Sequence, residues 1–257
     1  MIFETHAHYD DEQYNDDREN LLREIFSAGI GKIVNVGATM EGSRYSVYLS
    51  KQYPDMYAAV GVHPSEIKDL NEKAYEELRE LSQEEKVVAI GEIGLDYYWD
   101  KEEEVQKKQR EEFRNQLTLA REVGLPVIIH SRDAAADTME ILRNEPRVEN
   151  PGIIHCYSYS VEMAKEFVKM GYYIGVGGVV TFKNAKVLKQ VVTEIPLERI
   201  VLETDCPYMA PEPHRGKRNS SLYIPHIVAK IAELKGVTPQ EVEKVTYGNA
   251  LQVYGLK

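Results

Sequence analysis

The sequence predicts an α/β fold of the TIM (β/α)8 barrel type. Eight short apolar runs alternate with amphipathic helical stretches along the 257 residues, and this number of repeats over about 250 residues is typical of such barrels. The runs show little alternation of apolar and polar residues, which indicates parallel strands buried on both faces. No glycine-rich nucleotide turn follows the first run, which disfavours an open doubly wound sheet. We expect residues 1–257 to form one domain.

Helices are predicted between the strands from their start and stop signals. Asp16 or Asp17 is expected to cap a helix that runs to residue 26 and stops at Gly29, and Thr238 before Pro239 begins the last helix. The predicted strands lie at residues 2–3, 32–36, 57–62, 87–90, 127–129, 152–154, 172–176 and 200–202. The other predicted helices lie at residues 102–123, 133–142, 161–170 and 184–194.

The composition disfavours several classes of function. A net charge of −11 argues against a broad basic DNA-binding face, although an enzyme can still take a phosphate-bearing substrate into a metal site. No apolar run is long enough to cross a bilayer, and no secretory leader pattern is seen. Cys156 and Cys206 do not make a disulfide framework. We therefore expect a reduced cytoplasmic protein, with no membrane partner and no obligate protein partner.

Polar side chains follow most of the predicted strands. In a barrel the C-terminal ends of the strands meet at the face that carries the active site. His6 and His8 are two residues apart after the first strand, so both imidazoles point to one face. The other strand-end residues are His63, Glu92, His130, His155, Glu203 and Asp205. Each alone could be a hydrogen-bonded core residue or half of an ion pair, but burying all of them at one rim is costly without a metal ion.

Four histidines and two carboxylates exceed what one tetrahedral ion needs, and they suit two divalent ions that share a carboxylate. Glu92 is the expected bridge, because a carboxylate has two oxygens to divide between the ions. Mg²⁺, Mn²⁺ and Zn²⁺ are all candidates, since histidine ligation suits the transition metals while Mg²⁺ prefers oxygen. We expect one ion to be held by His6, His8, Glu92 and Asp205, and the other by Glu92, His130 and His155.

Several longer motifs follow one another in order along nearly the whole chain. They are Thr5-His6-Ala7-His8, Gly61-Val62-His63-Pro64, Ile90-Gly91-Glu92-Ile93-Gly94-Leu95-Asp96-Tyr97, Pro126-Val127-Ile128-Ile129-His130-Ser131-Arg132, Ile154-His155-Cys156-Tyr157-Ser158, Leu202-Glu203-Thr204-Asp205-Cys206-Pro207-Tyr208, Pro213-His214-Arg215-Gly216-Lys217-Arg218-Asn219 and Asn249-Ala250. Together they resemble the TatD family of metal-dependent deoxyribonucleases, which belongs to the amidohydrolase-like barrels. The resemblance implies Mg²⁺-dependent DNase activity and the same six metal ligands. Two positions depart from the family pattern: Glu4 stands where aspartate or a similar residue is expected, and Tyr159 replaces a glycine that would let the backbone approach a substrate closely.

The inferred reaction is hydrolysis of a phosphodiester, with exonuclease cleavage of DNA expected, by a water activated by two metal ions. Asp205 and Glu92 are the predicted catalytic residues. Asp205 would orient the water or accept its proton, while Glu92 would bridge the ions. Glu203 would orient a ligand histidine, and an ion pair inside the barrel is the equal alternative.

Four residues are candidate substrate contacts. His63 and Arg132 lie on the same rim and can donate to phosphate, with a purely structural role as the alternative. Arg215 and Lys217 belong to the dense basic cluster at 214–219, which would either grip phosphate or be a solvated loop. Tyrosines and Trp99 near the rim could stack on bases, although ordinary packing is the competing explanation.

Two rival functions remain open at this point. The same barrel could be an esterase, an amidase or an aminoacyl-tRNA deacylase, because a two-metal site serves all of these reactions. Phosphotriesterase-type barrels use a carbamylated lysine where this chain has Glu92, which disfavours that branch. A non-catalytic nucleic-acid-binding barrel is disfavoured by the complete ligand set.

Overall fold

Eight strands form one parallel sheet in the order β1 to β8, each paired with the next along the chain. The computed structural model describes residues 1–146 and 150–257. An isolated parallel bridge between Ala7 and Cys206 joins the first strand to the segment after the last. The sheet is therefore a nearly closed barrel, and the predicted TIM-type fold is confirmed. The strands are β1 (Ile2–Ala7), β2 (Ile30–Val36), β3 (Met56–Val60), β4 (Val87–Asp96), β5 (Val127–Arg132), β6 (Gly152–Ile154), β7 (Tyr173–Val176) and β8 (Ile200–Leu202).

Helices connect the strands and cover the outside of the barrel. In the described part of the chain the α-helices are α1 (Arg18–Ser27), α2 (Met40–Gln52), α3 (Glu72–Leu81), α4 (Glu103–Val123), α5 (Ala135–Asn144), α6 (Val161–Lys169), α7 (Lys186–Glu194), α8 (Ile224–Lys235) and α9 (Pro239–Val253). Short 3-10 helices lie at Glu12–Tyr14, Pro64–Asp69, Gly178–Thr181, Leu197–Arg199 and Ser221–Tyr223. Of the helices described, none is both long and apolar enough to cross a membrane.

The apolar core has two layers, one inside the barrel and one between the strands and the helices. Phe3, Val34 and Ile128 belong to the inner layer, together with Ala250 and Val253 of α9. Residues that alternate with them along the strands pack outward against the helices. Because Phe3 lies near the start of β1, α9 closes the N-terminal end of the barrel. The C-terminal ends of the strands are left to form a site. The assignment of the whole chain to one domain stays a prediction.

Several element boundaries differ from the sequence prediction. The fourth strand was expected to end at residue 90, but β4 continues to Asp96, so Glu92 lies inside a strand and not at its end. The polar Glu92 between two glycines interrupts the apolar run, which is why the prediction stopped early. The sequence analysis also missed α2, because Gly42 and three serines make up most of its buried face and only Val47 and Leu49 are apolar there, which is too few for a clear apolar stripe. Helices α3 and α8 were not predicted either.

The predicted helix cap near residue 17 is wrong in its mechanism. Asp17 occupies the position before α1, but its side chain makes no capping hydrogen bond. Its carboxylate instead accepts a hydrogen bond of 2.9 Å from Arg218, which comes from the basic loop after β8. Thr238 does cap α9 as expected, since its hydroxyl accepts the N–H of Glu241.

Candidate metal centre

The six predicted ligands converge at the C-terminal end of the barrel. They come from five strands or the residues just after them, and a parallel barrel brings those strand ends to one face. The side chains are largely buried, and the two most exposed are Asp205 at 15% and His130 at 17%. The six residues are His6, His8, Glu92, His130, His155 and Asp205.

Four donor atoms face one another on one side of this centre. The Nε2 atoms of His6 and His8 are 3.0 Å apart. Glu92 Oε2 lies 3.5 Å from His6 Nε2 and 3.7 Å from His8 Nε2. Asp205 Oδ1 lies 3.7 Å from the first nitrogen and 3.4 Å from the second. We call this set the first donor group.

The other oxygen of Glu92 faces two further imidazoles. We call Glu92 Oε1, His130 Nδ1 and His155 Nε2 the second donor group. Glu92 Oε1 is 2.8 Å from His130 Nδ1 and 3.7 Å from His155 Nε2. His155 Nε2 is also 3.7 Å from Asp205 Oδ1, so the two groups adjoin. The Glu92 carboxylate therefore stands between the groups with one oxygen toward each.

These donors fit a cation better than they fit a hydrogen-bond network. The facing Nε2 atoms of His6 and His8 can share only one hydrogen. Most of the nitrogen–oxygen separations, at 3.4–3.7 Å, exceed the usual hydrogen-bond range of about 2.7–3.2 Å, so lone pairs converge without saturating one another. Imidazole nitrogens mixed with carboxylate oxygens are the donors that divalent metals take in proteins. His6, His8 and Asp205 each offer a ligand atom within 4.8 Å of the others.

The carboxylates make this centre favourable for positive charge. Burial lowers the pKa of His8, but Asp205 and Glu92 outweigh burial and raise that pKa to about 9. Burial likewise opposes Glu203, Asp205 and Glu92 at His155, whose pKa they raise to about 10. The pKa of Asp205 itself is lowered, because the surrounding imidazoles outweigh the effect of its burial. The same interactions would stabilise a bound cation.

Two of the imidazoles are oriented by carboxylates behind them. His155 Nδ1 lies 3.1 Å from Glu203 Oε2, and the other Glu203 oxygen accepts the Cys156 N–H at 2.6 Å. His130 Nε2 lies 3.0 Å from Asp96 Oδ2. Such contacts fix the ring orientation, and here they turn the opposite nitrogens, His155 Nε2 and His130 Nδ1, toward Glu92. The sequence analysis assigned no role to Asp96, although its place at the end of a strand that carries Glu92 was an available signal.

The histidines of the first donor group are held differently. His8 Nδ1 lies 2.8 Å from the carbonyl oxygen of Val36, which can accept its hydrogen. His6 Nδ1 is buried, and no described residue offers it a hydrogen bond. The His6 ring stacks on that of His155 with centroids 3.5 Å apart, so packing positions it.

The predicted substrate residues lie at the mouth of the barrel in unlike surroundings. His63 caps the 3-10 helix that follows it, because its Nδ1 accepts the Ser65 N–H at 3.2 Å. Burial and the neighbouring His130 lower the pKa of His63 to about 4, so the ring is neutral at neutral pH. The guanidinium of Arg132 lies 3.8 Å from the centre of the Tyr98 ring.

Three basic residues of the loop after β8 are exposed, and they differ in their contacts. Arg215 is exposed and its guanidinium lies 4.3 Å from the centre of the Phe182 ring. Lys217 is also exposed. Arg218 is committed to its ion pair with Asp17. The loop therefore presents Arg215 and Lys217 to solvent.

The two residues that depart from the family pattern both make structural contacts. Glu4 is fully buried, and its Oε1 accepts the N–H groups of His6 at 3.1 Å and Thr204 at 2.9 Å, which ties β1 to the segment after β8. The Tyr159 hydroxyl lies 2.9 Å from Ser131 Oγ and 3.2 Å from the Ala134 nitrogen. Tyr159 thus contacts the end of β5 and the segment after it.

Fold and site together define a class of protein, the barrel hydrolases that carry a metal centre at the C-terminal ends of their strands. The chain matches the family described as TatD related DNase over residues 3–255. It therefore belongs to the TatD family, as the sequence motifs predicted, and it is a metal-dependent hydrolase.

Individual relatives agree with this assignment. The chain is 45% identical over 254 residues to the uncharacterized metal-dependent hydrolase YabD of Bacillus subtilis, with 99% of each chain covered. It is 31% identical to the 3'-5' ssDNA/RNA exonuclease TatD of Cronobacter sakazakii, with 98% of this chain and 97% of that one covered. The crystal structure of YJJV, a TatD homologue from Escherichia coli K12, superposes with a TM-score of 0.93 at 31% identity, covering 100% of this chain and 98% of that one.

Proposed function

We propose that this protein is a divalent-metal-dependent exonuclease that hydrolyses phosphodiester bonds at the end of a DNA strand. The observation that carries the proposal is the Glu92 carboxylate, which turns one oxygen toward each of two donor groups. A shared carboxylate between two ions is a recurring arrangement in enzymes that cleave phosphate esters. The relative from Cronobacter sakazakii is named for exonuclease action on single-stranded DNA and RNA, which supports the choice of substrate.

The two donor groups would hold two divalent ions, with Mg²⁺, Mn²⁺ and Zn²⁺ as candidates. One ion would be held by His6, His8, Asp205 and Glu92 Oε2, and the other by Glu92 Oε1, His130 and His155. Ions bound there would lower the pKa of an attacking water and offset negative charge on the phosphoryl oxygens.

Asp205 is the residue we assign to proton transfer. Its side chain is 15% exposed, against 5% for Glu92, so water and substrate can reach it more easily. Its lowered pKa keeps the carboxylate ionised near neutral pH, which is the form that accepts a proton or orients a water. Glu203 would act through His155, whose ring it orients, without touching the substrate.

Positively charged side chains at the mouth would bind the strand. Arg132, Arg215 and Lys217 are exposed there and can donate to phosphate oxygens. His63 would contribute a neutral imidazole beside His130, where it can donate one hydrogen bond. A cytoplasmic location and the lack of an obligate protein partner stay predictions.

Replacing Glu92 tests the proposal directly. Metal content is measured by elemental analysis for the native protein, Glu92→Ala and Glu92→Gln, with Glu76→Ala on the exposed face of α3 as the control. We expect Glu92→Ala to reduce the bound metal from two ions toward one or none, and to abolish cleavage of end-labelled single-stranded DNA. Unchanged metal content would contradict the bridging role. Native protein that cleaves no DNA with any of the three ions would overturn the nuclease assignment.

Removing the exposed charges of the basic loop tests substrate binding separately. Arg215→Ala combined with Lys217→Ala should weaken DNA binding and leave metal content intact, because neither side chain belongs to a donor group. If both side chains contact phosphates, the plot of log binding constant against log salt concentration should become shallower, with the magnitude of its slope smaller by roughly 1.4 for single strands. The control is Lys73→Ala with Lys107→Ala, which removes two exposed charges from α3 and α4. Equal slopes for the two double variants would show that Arg215 and Lys217 do not contact phosphate and that the loop is only solvated surface.

A further inference from the structure

Two large aromatic side chains are exposed in the turn that follows β4. Trp99 is 67% exposed and Tyr98 is 41% exposed, and their rings meet edge-on with centroids 4.7 Å apart. Two adjacent exposed rings form an apolar patch, and exposed patches rimmed by polar residues can mark ligand-binding surfaces. Trp99 is also the only tryptophan in the sequence.

Arg132 completes a cluster with these two rings. Its guanidinium lies 3.8 Å from the centre of the Tyr98 ring and 5.7 Å from that of Trp99. Within the described residues, no carboxylate is close enough to form an ion pair with Arg132, so its charge is available to an anionic ligand. We call Tyr98, Trp99 and Arg132 the aromatic platform.

One carboxylate ties the aromatic platform to the metal centre. Asp96 Oδ1 accepts the backbone N–H groups of Tyr98 at 3.0 Å and of Trp99 at 3.2 Å. Its other oxygen lies 3.0 Å from His130 Nε2, whose Nδ1 faces Glu92. The Asp96 side chain is only 2% exposed, and both of its oxygens make contacts. Asp96 therefore contacts both the aromatic platform and His130 of the second donor group.

We propose that the aromatic platform is a base-stacking subsite for an unpaired nucleotide next to the scissile phosphate. The inference rests on the proposed function, and it explains why the enzyme would act on single strands. Every base offers a flat face to an aromatic ring, and stacking of this kind tolerates any sequence. Bases within a duplex are already stacked on their neighbours, so an unpaired strand end is the form that can reach Trp99. Arg132 supplies the charge for the phosphate of the same nucleotide.

Tryptophan fluorescence reports on this contact directly, because Trp99 is the only tryptophan in the sequence. The native, metal-loaded protein is titrated with a phosphorothioate-linked oligothymidylate, which is hydrolysed slowly. We expect saturable quenching by this strand, and little quenching by a strand of the same length with abasic residues or by a blunt duplex. Equal quenching by the abasic strand would overturn the proposal, since phosphate contacts alone would then explain it.

Kinetics of variants supply the second test. Trp99→Ala should raise KM for single-stranded DNA by roughly tenfold or more while kcat changes little, and Trp99→Phe should restore most of the affinity. Cleavage of a strand with abasic terminal residues should be equal in Trp99→Ala and the native protein. The matched control is Tyr48→Ala, which removes a 52% exposed aromatic residue from α2.

The outcomes separate this inference from the proposed function. A native KM in Trp99→Ala, with normal DNA cleavage, would overturn the subsite and leave the nuclease assignment standing. Base-dependent quenching in a protein that never cleaves DNA would support base stacking on the aromatic platform and overturn the nuclease assignment.

Discussion

Three of the four candidate ligand histidines are held through the ring nitrogen that faces away from the donor groups. A buried carboxylate stands behind His155 and another behind His130, and a carbonyl oxygen stands behind His8. A negative partner does more than a carbonyl, because it orients the ring and also makes the opposite nitrogen a better donor to metal. The second donor group therefore carries the stronger support.

Glu203→Gln tests that support at one residue. The amide keeps the size of the side chain and can still accept the Cys156 N–H, but it removes the charge behind His155. We expect metal affinity to fall by roughly 10- to 100-fold, as measured by titration calorimetry on metal-stripped protein. Glu198→Gln, in the exposed part of the turn before β8, is the control. Native affinity in Glu203→Gln would reduce Glu203 to a packing role.

At the level of elements, β7 positions the carboxylate that supports His155. Gly175 lies in β7 opposite Val201 of β8, and the Glu203 side chain crosses over it. A methyl group on Gly175 would come within 2.4 Å of Glu203 Oε2 and 2.8 Å of its Cδ. Only glycine lets the strand pass this close beneath a buried carboxylate.

Gly175→Ala should therefore disturb the metal centre from the neighbouring strand. We expect weaker metal binding and a loss of about 1–3 kcal/mol in unfolding free energy, because neither the strand nor the buried Glu203 can easily move aside. Gly177→Ala is a matched control, since a methyl group there meets its nearest atom at an ordinary 3.5 Å. Denaturant titrations and metal titrations of both variants provide the measurement. Equal unfolding free energies and equal metal affinities in the two variants would show that small shifts of Glu203 accommodate the methyl group at position 175.

Over the whole molecule, the metal centre gathers side chains from five of the eight strand ends. The chain carries a net charge of −11, and the centre concentrates carboxylates in a buried space. Divalent ions would reduce the repulsion among those carboxylates and link strands from opposite sides of the barrel. Binding of this kind occurs only in the folded state, so it adds to stability.

Metal removal should therefore lower thermal stability. At a free ion concentration of about 100 times Kd, the added unfolding free energy is about 2.7 kcal/mol. For a protein of this size that corresponds to a fall in Tm of roughly 5–11 °C on chelation. Calorimetry with EDTA, followed by return of the ion, measures the change, and Glu92→Ala should show a smaller one. A Tm that is unchanged by chelation and by return of the ion would contradict the prediction that bound metal stabilises the fold.

Much of the fold follows from local pattern. All eight apolar runs became strands in the predicted order, because a buried parallel strand needs a run of apolar residues wherever it lies. Helix α4 and its end at Gly124 were also predicted, since glycine readily takes the left-handed conformation found there. Helix α2 was missed because most residues on its buried face are small, and the two apolar ones, Val47 and Leu49, are too few to form a recognisable apolar stripe.

By itself, the sequence determined the barrel, the family and the candidate ligands, because strand periodicity and the motifs around His6 and Glu92 are local features of the chain. Only the tertiary structure decided which oxygen of Glu92 faces which histidines, and that Asp96 joins His130 to the turn carrying Trp99. Those relations join atoms that are distant in sequence. They depend on strand register, on side-chain rotamers and on close packing, none of which a local pattern specifies.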